Sequence, residues 1–316
     1  MNSSSNKKAV AAALINALII GLSFIFVKIA LSVSDPLDTL AHRFTLSFLA
    51  ASLFAFPGRA RMKEVMPRTA ALLPLALLYP SLFFALQAFG LLYASSSVAG
   101  IVQAVVPVFT MILAAIFLKE HTTFAQKMFT LVSVAGVILI FAVPGISISS
   151  ASLGGVLLIL LSALSMAGYN TGARRMTKTW RPKDMTYIIT FFGFVFFNVI
   201  SVIKHVSQGT LSQYFTPFLE PRFLLAVLYL GVLSSLVTSF LTNYALSRME
   251  ASRVSVFGSL STVVTIAGGV LLLNERLDWY HWVGAVLIIG GVMGVNLKRR
   301  QGVRANQSKE LGSSKG

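Results

Sequence analysis

Ten carboxylates, four histidines and no cysteine make up most of the acid–base supply of this 316-residue chain. The carboxylates are Asp35, Asp38, Glu64, Glu120, Asp184, Glu220, Glu250, Glu275, Asp278 and Glu310, and each falls in a polar loop or at the end of an apolar run. The histidines, His42, His121, His205 and His281, sit at similar places. Without cysteine there is no disulfide framework, thiolate metal site or thiol nucleophile. The chain has no His-Glu-x-x-His pair, no Gly-x-Ser-x-Gly elbow and no aspartate pair inside an apolar run, so an intramembrane hydrolase lacks a nucleophile and base that could meet. An exporter of lipophilic cations coupled to protons needs a carboxylate in mid-membrane, both to pair the cation and to exchange it. None stands there, which counts against that chemistry. The expectation is a protein that is not an enzyme and needs no cofactor or metal.

What the apolar runs do contain is neutral polarity. Tyr79, Gln87 and Gln103 in the first half of the chain, with Tyr169, Asn170, Asn198, Tyr229, Asn243 and Thr262 in the second, interrupt otherwise greasy segments. Each could simply tie two helices together, an interaction worth below about 1 kcal/mol in a membrane. Collectively they could form a site for a neutral or zwitterionic metabolite, walled by Phe83, Phe84 and Phe109. Only two cations enter the runs: Lys28 in FIFVKIALS, and Arg43. Both start close to a run's end, so snorkelling to an outer mouth or pairing with Asp35 and Asp38 is one reading. A contact with an outer gate or a substrate carboxylate is the other. Pro107 deletes a backbone donor and is a candidate gating kink. Glu120 and Glu275 open the loops KEHT and NERL, either as helix caps or loop ion pairs or as gating contacts.

The elements that hold these residues follow from composition. Hydrophobic residues make up 56% of the chain and charged ones 11%, against about 25% charged in an ordinary soluble domain. Apolar runs long enough to span a bilayer cover 9–32, 38–56, 70–92, 97–118, 125–143, 152–172, 186–204, 223–246, 252–273 and 279–297. They are continuously apolar rather than alternating, which predicts helices and not barrel strands. With the N-terminus inside the cell, most of the 26 lysines and arginines fall in inside segments, and only Lys204, Arg222 and Arg276 fall outside. Basic residues favour the cytoplasmic side, so both termini are expected there. The net charge of +16 is thus spent on topology rather than on nucleic acid.

Two stretches, SSSVAGIVQAVVPVFTMILAAIFLKEHTT from Ser95 and EASRVSVFGSLSTVVTIAGGVLLLNERLD from Glu250, align with Thr110 on Thr265, Leu118 on Leu273 and Glu120 on Glu275. Each copy would hold five spans. An odd number inverts the second copy in the membrane, an architecture common in transporters. The expected units are 1–147 and 148–297, one five-helix repeat each, followed by a basic, disordered cytoplasmic tail over 298–316.

At this point the chain resembles the drug/metabolite transporter superfamily, and within it the EamA-like transporter family. The resemblance is carried by GLSFIFVKIAL at Gly21–Leu31, AHRFTLSFLAA at Ala41–Ala51, PVFTMILAAIFLKEHTT at Pro107–Thr123 and TVVTIAGGVLLLNERL at Thr262–Leu277. The family usually has proline early in both fourth helices; Pro107 keeps it and Thr262 replaces it. Lys119 and Asn274 stand where glycine usually precedes the glutamate. The resemblance implies a carrier exporting small metabolites, amino acids or drugs by alternating access, multi-pass in a bacterial plasma membrane, as a monomer or homodimer. The lipid bilayer and a small-molecule substrate are the expected partners. An exchanger of anionic sugar phosphates or nucleotide sugars is the second transporter reading, short of cations with only Lys28 and Arg43 to offer. An intramembrane enzyme or a non-transporting receptor is the reading from another class.

Overall fold

A computed structural model describes residues 3–54, 59–118, 123–142, 150–291 and 293–294, which are helical almost throughout, with no strand among them. In chain order the helices are α1 (Ser3–Leu31), α2 (Pro36–Phe54), α3 (Met62–Tyr93), α4 (Ser96–Phe117), α5 (Phe124–Ala142), α6 (Ser150–Met176), α7 (Pro182–Gln208), α8 (Pro221–Arg248), α9 (Ala251–Leu272) and α10 (279–291). Among the described residues, six stretches are long and apolar enough to cross a membrane: Lys8–Leu31, Met62–Tyr93, Ser96–Phe117, Leu153–Met176, Pro182–Gln208 and Pro221–Arg248. Helices suit that solvent because every backbone donor finds its acceptor within the segment. The bundle turns large apolar side chains outward, including Leu14 and Leu18 of α1, Leu53 of α2, Ile116 of α4 and Ile203 of α7. The protein is an all-helical, polytopic membrane protein.

Successive helices run in opposite directions, so the loops gather at two ends. Asp35, Lys204 and Tyr214 meet at one, together with Ser96 and Glu275; this is called the Asp35 end. Arg174 donates to the carbonyl of Leu246 at the other, the Arg174 end.

The strongest packing pairs early helices with late ones: α1 with α8 and α9, α2 with α7 and α8, α3 with α6, and α4 with α6 and α9. Replacing each helix by the one five places along the chain turns α1–α9 into α6–α4, and α1–α8 into α6–α3, both of which exist. Local geometry repeats at the same spacing of 155 residues. Ala94 and Met249 are both extended at the ends of α3 and α8, and Leu118 (φ −104°, ψ 0°) matches Leu273 (φ −107°, ψ 1°). The interrupted segment Leu77–Leu82 of α3, where Tyr79 (φ −141°, ψ 117°) leaves the helix, and the π-helical segment Tyr229–Val237 of α8 overlap in that register as well. Such segments loosen the i→i−4 ladder and recur at functional sites.

Candidate functional site

Between the helices lies a cavity of about 70 Å³. Its polar lining comes from α1 (Asn16), α4 (Gln103), α6 (Asn170), α8 (Thr242) and α9 (Ser261), with Phe24, Phe83 and Pro107 as apolar wall. Asn170 is 3% exposed and its Oδ1 has no hydrogen-bond partner; the Oδ1 of Asn16 is in the same condition. A buried amide oxygen without a partner costs about 1–3 kcal/mol. Neither oxygen has a partner among the described residues, so both are open to a donor that enters the cavity, water included. Gln103 donates through Nε2 to Ser162 Oγ. Its carbonyl is also the one that Pro107 deprives of an i+4 donor. Helix α4 breaks at Ala104–Val105, and Pro107 follows within the first turn of the second piece. The expected kink is thus a break placed on the cavity. Small-molecule sites usually hold about 300–1,000 Å³, so this cavity has to widen before a metabolite enters.

Most of the other polar candidates face neighbouring helices. Tyr169 Oη donates to Asn243 Oδ1 at 2.7 Å, and Asn243 Nδ2 donates to Thr186 Oγ1 at 3.0 Å, tying α6 to α8 and α7. Tyr229 Oη donates to the carbonyl of Ile19 at 2.9 Å while its ring stacks on Phe26. Thr262 Oγ1 donates to the carbonyl of Gly100 at 3.0 Å. Tyr79 is buried against Tyr169, Phe83 and Phe84, and Gln87 is buried too.

Arg43 differs from its expected place at an outer mouth. It is 1% exposed, because α2 starts at Pro36 and leaves it roughly 10 Å along the helix at about 1.5 Å per residue. Its Nε donates to Ser235 Oγ at 2.7 Å and its Nη2 to Ser234 Oγ at 2.9 Å, and the guanidinium lies 4.0 Å over the Phe84 ring. Gly231 permits this approach: a Cβ there would stand within 3 Å of the Arg43 carbonyl. Lys28, by contrast, is half-buried near the Asp35 end, within the electrostatic reach of Glu275.

Glu275 has a defined task. Its Oε1 accepts from Ser96 N (2.7 Å) and Ser96 Oγ (2.6 Å), and its Oε2 from Ser97 N (2.9 Å). It therefore caps the first turn of α4 from 179 residues away. Burial opposes its charge, but the hydrogen bonds from Ser96 and Ser97 outweigh that and hold the carboxyl below its ordinary value. Glu120 lies outside the described residues.

A network at the Asp35 end was not singled out from the sequence. Asp38 takes Lys204 Nζ at 3.2 Å, His205 Nε2 at 2.9 Å and Ser201 Oγ at 2.5 Å, while Asp35 takes Lys204 at 2.5 Å. His42 and His205 are buried rather than merely terminal, and His42 Nε2 meets the carbonyl of Tyr214 at 2.8 Å. The available signal was the i, i+3 spacing of Asp35 and Asp38 opposite the Lys204–His205 pair. These residues edge an open vestibule of about 580 Å³.

An apolar-coated helical bundle around a small, mainly apolar cavity that carries a few amides is the architecture of a polytopic membrane transport protein. The chain belongs to the EamA-like transporter family, whose profile matches residues 7–142 and 153–297. It is 55% identical to an uncharacterised transporter, YcxC, of Bacillus subtilis over 90% of this chain and 92% of that one. It is 26% identical to a probable amino-acid metabolite efflux pump of Escherichia coli, over 89% and 92% of the two chains. A solved crystal structure at 17% identity shares the fold, with a TM-score of 0.60 over 95% of this chain and 99% of that one.

Proposed function

We propose that the protein is a secondary transporter that exports small organic metabolites, amino acids or drugs among them, from a bacterial cell. In this reading ten spans form two inverted five-helix halves, 1–147 and 148–297, both termini are cytoplasmic, and the Asp35 end faces outward from the plasma membrane. Transport proceeds by alternating access, each half offering the arrangement that the other has just left. The observation that carries the proposal is the cavity to which both halves contribute amides, Asn16 and Gln103 from one and Asn170 from the other, two of them with unused acceptors. Support for the inverted halves comes from the helix contacts that survive exchange of the halves and from the matched irregular segments. The efflux pumps among the relatives support amino acids as a first substrate panel.

The test is uptake into proteoliposomes against neutral, anionic and cationic metabolites, with and without a pH gradient. Saturable movement of some compounds and not others is expected. No movement of any compound by correctly folded protein refutes the carrier.

A further inference from the structure

We propose that Arg43 receives the carboxylate of the transported metabolite, which makes the substrates small monocarboxylates. The inference rests on the transporter reading above.

A guanidinium buried in the apolar layer is expected beside an anion or in a water-filled cavity. Arg43 has neither in this state. The ion pairs among the described residues join Lys204 and His205 to Asp35 and Asp38 at the Asp35 end, and Arg43 is in none of them. Its hydrogen bonds run from Nε to the Ser235 hydroxyl and from Nη2 to the hydroxyl and carbonyl of Ser234. Nη1, with two further N–H groups, has no hydrogen-bond partner among the described residues. The side chain is thus a fully buried cation whose partners are all neutral and whose fork is half unused.

Its surroundings include irregular backbone from both halves. Ser234 and Ser235 belong to the π segment Tyr229–Val237 of α8, and Tyr79 to the interrupted segment Leu77–Leu82 of α3. Tyr79 and Tyr229 both lie near enough to the guanidinium to interact electrostatically with it. Irregular backbone at membrane depth is tolerated where it lines a cavity, and transporters build their midplane sites from it. The cation is held by the irregular segment of the second half and lies over Phe84, just beyond the irregular segment of the first half.

Neighbours in sequence link the surroundings of Arg43 to the central cavity. Phe83 lines it, and the adjacent Phe84 carries the guanidinium over its ring. Ile20 lines it, and the adjacent Ile19 takes the Tyr229 hydroxyl. A shift of the two irregular segments between access states brings Nη1 onto the cavity that Asn16, Asn170 and Gln103 already line. One guanidinium with neutral partners balances one negative charge, and the free Nη1 N–H groups can donate charge-assisted hydrogen bonds to a carboxylate. A phosphate dianion would need a second cation here. The amides take the substrate's other polar groups, and Phe24 and Phe83 its apolar part.

The test uses counterflow in proteoliposomes, with leucine, threonine, phenylalanine and their 2-oxo acids as probes, each against its carboxamide. Acids are expected to compete and carboxamides to fail by at least about 10-fold. Arg43→Lys should raise KM for acids about 10- to 100-fold, the worth of a charge-assisted hydrogen bond. Arg43→Gln should abolish the preference for acids over amides. If the wild-type protein moves acids and amides equally, or Arg43→Lys leaves KM unchanged, the Arg43 assignment falls and the carrier stands. If the wild-type protein neither moves nor is thermally stabilised by any probe, both fall. Should Arg43→Gln not fold, the acid-against-amide comparison on the wild-type protein decides alone.

Discussion

Placing alanine at Gly269 should break a contact 173 residues away in the chain, and the break should depend on pH. A Cβ at Gly269 would stand within 3 Å of both Ser97 Oγ and Glu275 Oε2. The Glu275 carboxylate would have to leave the first turn of α4, giving up its three hydrogen bonds from Ser96 and Ser97. Hydrogen bonds to a charged group contribute about 1.5–3 kcal/mol each when buried. Glu275 is only partly buried, so solvent screening reduces the set to about 1–3 kcal/mol in total. Glu275→Ala should cost the same amount, because it removes the same bonds. The two changes together should cost little more than either one, since residues sharing one interaction do not add.

The pH dependence follows from the direction of the shift. The folded-state carboxyl titrates below its unfolded value, so the unfolded chain binds the proton more readily. The stabilisation is then fully present above the ordinary glutamate range, about pH 4.3, and is lost as pH falls through the folded value. Thermal unfolding in detergent, followed by tryptophan fluorescence, measures all of this for wild type, Gly269→Ala, Glu275→Ala and the double variant at pH 7 and near pH 3.5. Additive losses in the double variant, or a loss at pH 7 that persists undiminished in acid, would refute the capping argument. Unchanged transport by Glu275→Ala, with lowered stability, would assign the cap to structure rather than to gating.

Other expectations are more local. Asn170→Leu removes an amide oxygen that has no partner, so it should leave thermal stability unchanged or slightly raised while lowering transport at least about 10-fold; lost stability with intact transport in the uptake assay would count against the cavity. Tyr169→Phe should cost about 0.5–1 kcal/mol of thermal stability through the lost bond to Asn243, with KM within about 2-fold of wild type. Gly231→Val should lower the melting temperature and the folded yield on size-exclusion chromatography, because its side chain meets the Arg43 carbonyl and separates α2 from α8; a normal yield and melting temperature would show that this close approach is dispensable.

Much of this protein was legible in its sequence. Continuous apolar runs in a solvent without hydrogen-bonding partners leave the helix as the only spanning solution for each run, so the all-helical class followed from composition. The weak match of Ser95–Glu120 to Glu250–Glu275 aligned two helix ends, at Leu118 and Leu273, that share backbone angles, since cap geometry is a local property of the chain. Pro107, Gln103 and Asn170 were identified by residue type alone, and they share one cavity. Tertiary structure decided the remainder, because a side chain's partners depend on which helix packs beside it. Tyr169 and Asn243, equal to Asn170 as sequence candidates, face each other and are satisfied. Glu275 found the start of α4 instead of a loop partner. Arg43 lies seven residues into α2, close enough to its start for snorkelling to look sufficient. Only the packing of α8 and α3 over α2, with Gly231 at the closest approach, shows the guanidinium enclosed and held by Ser234, Ser235 and Phe84.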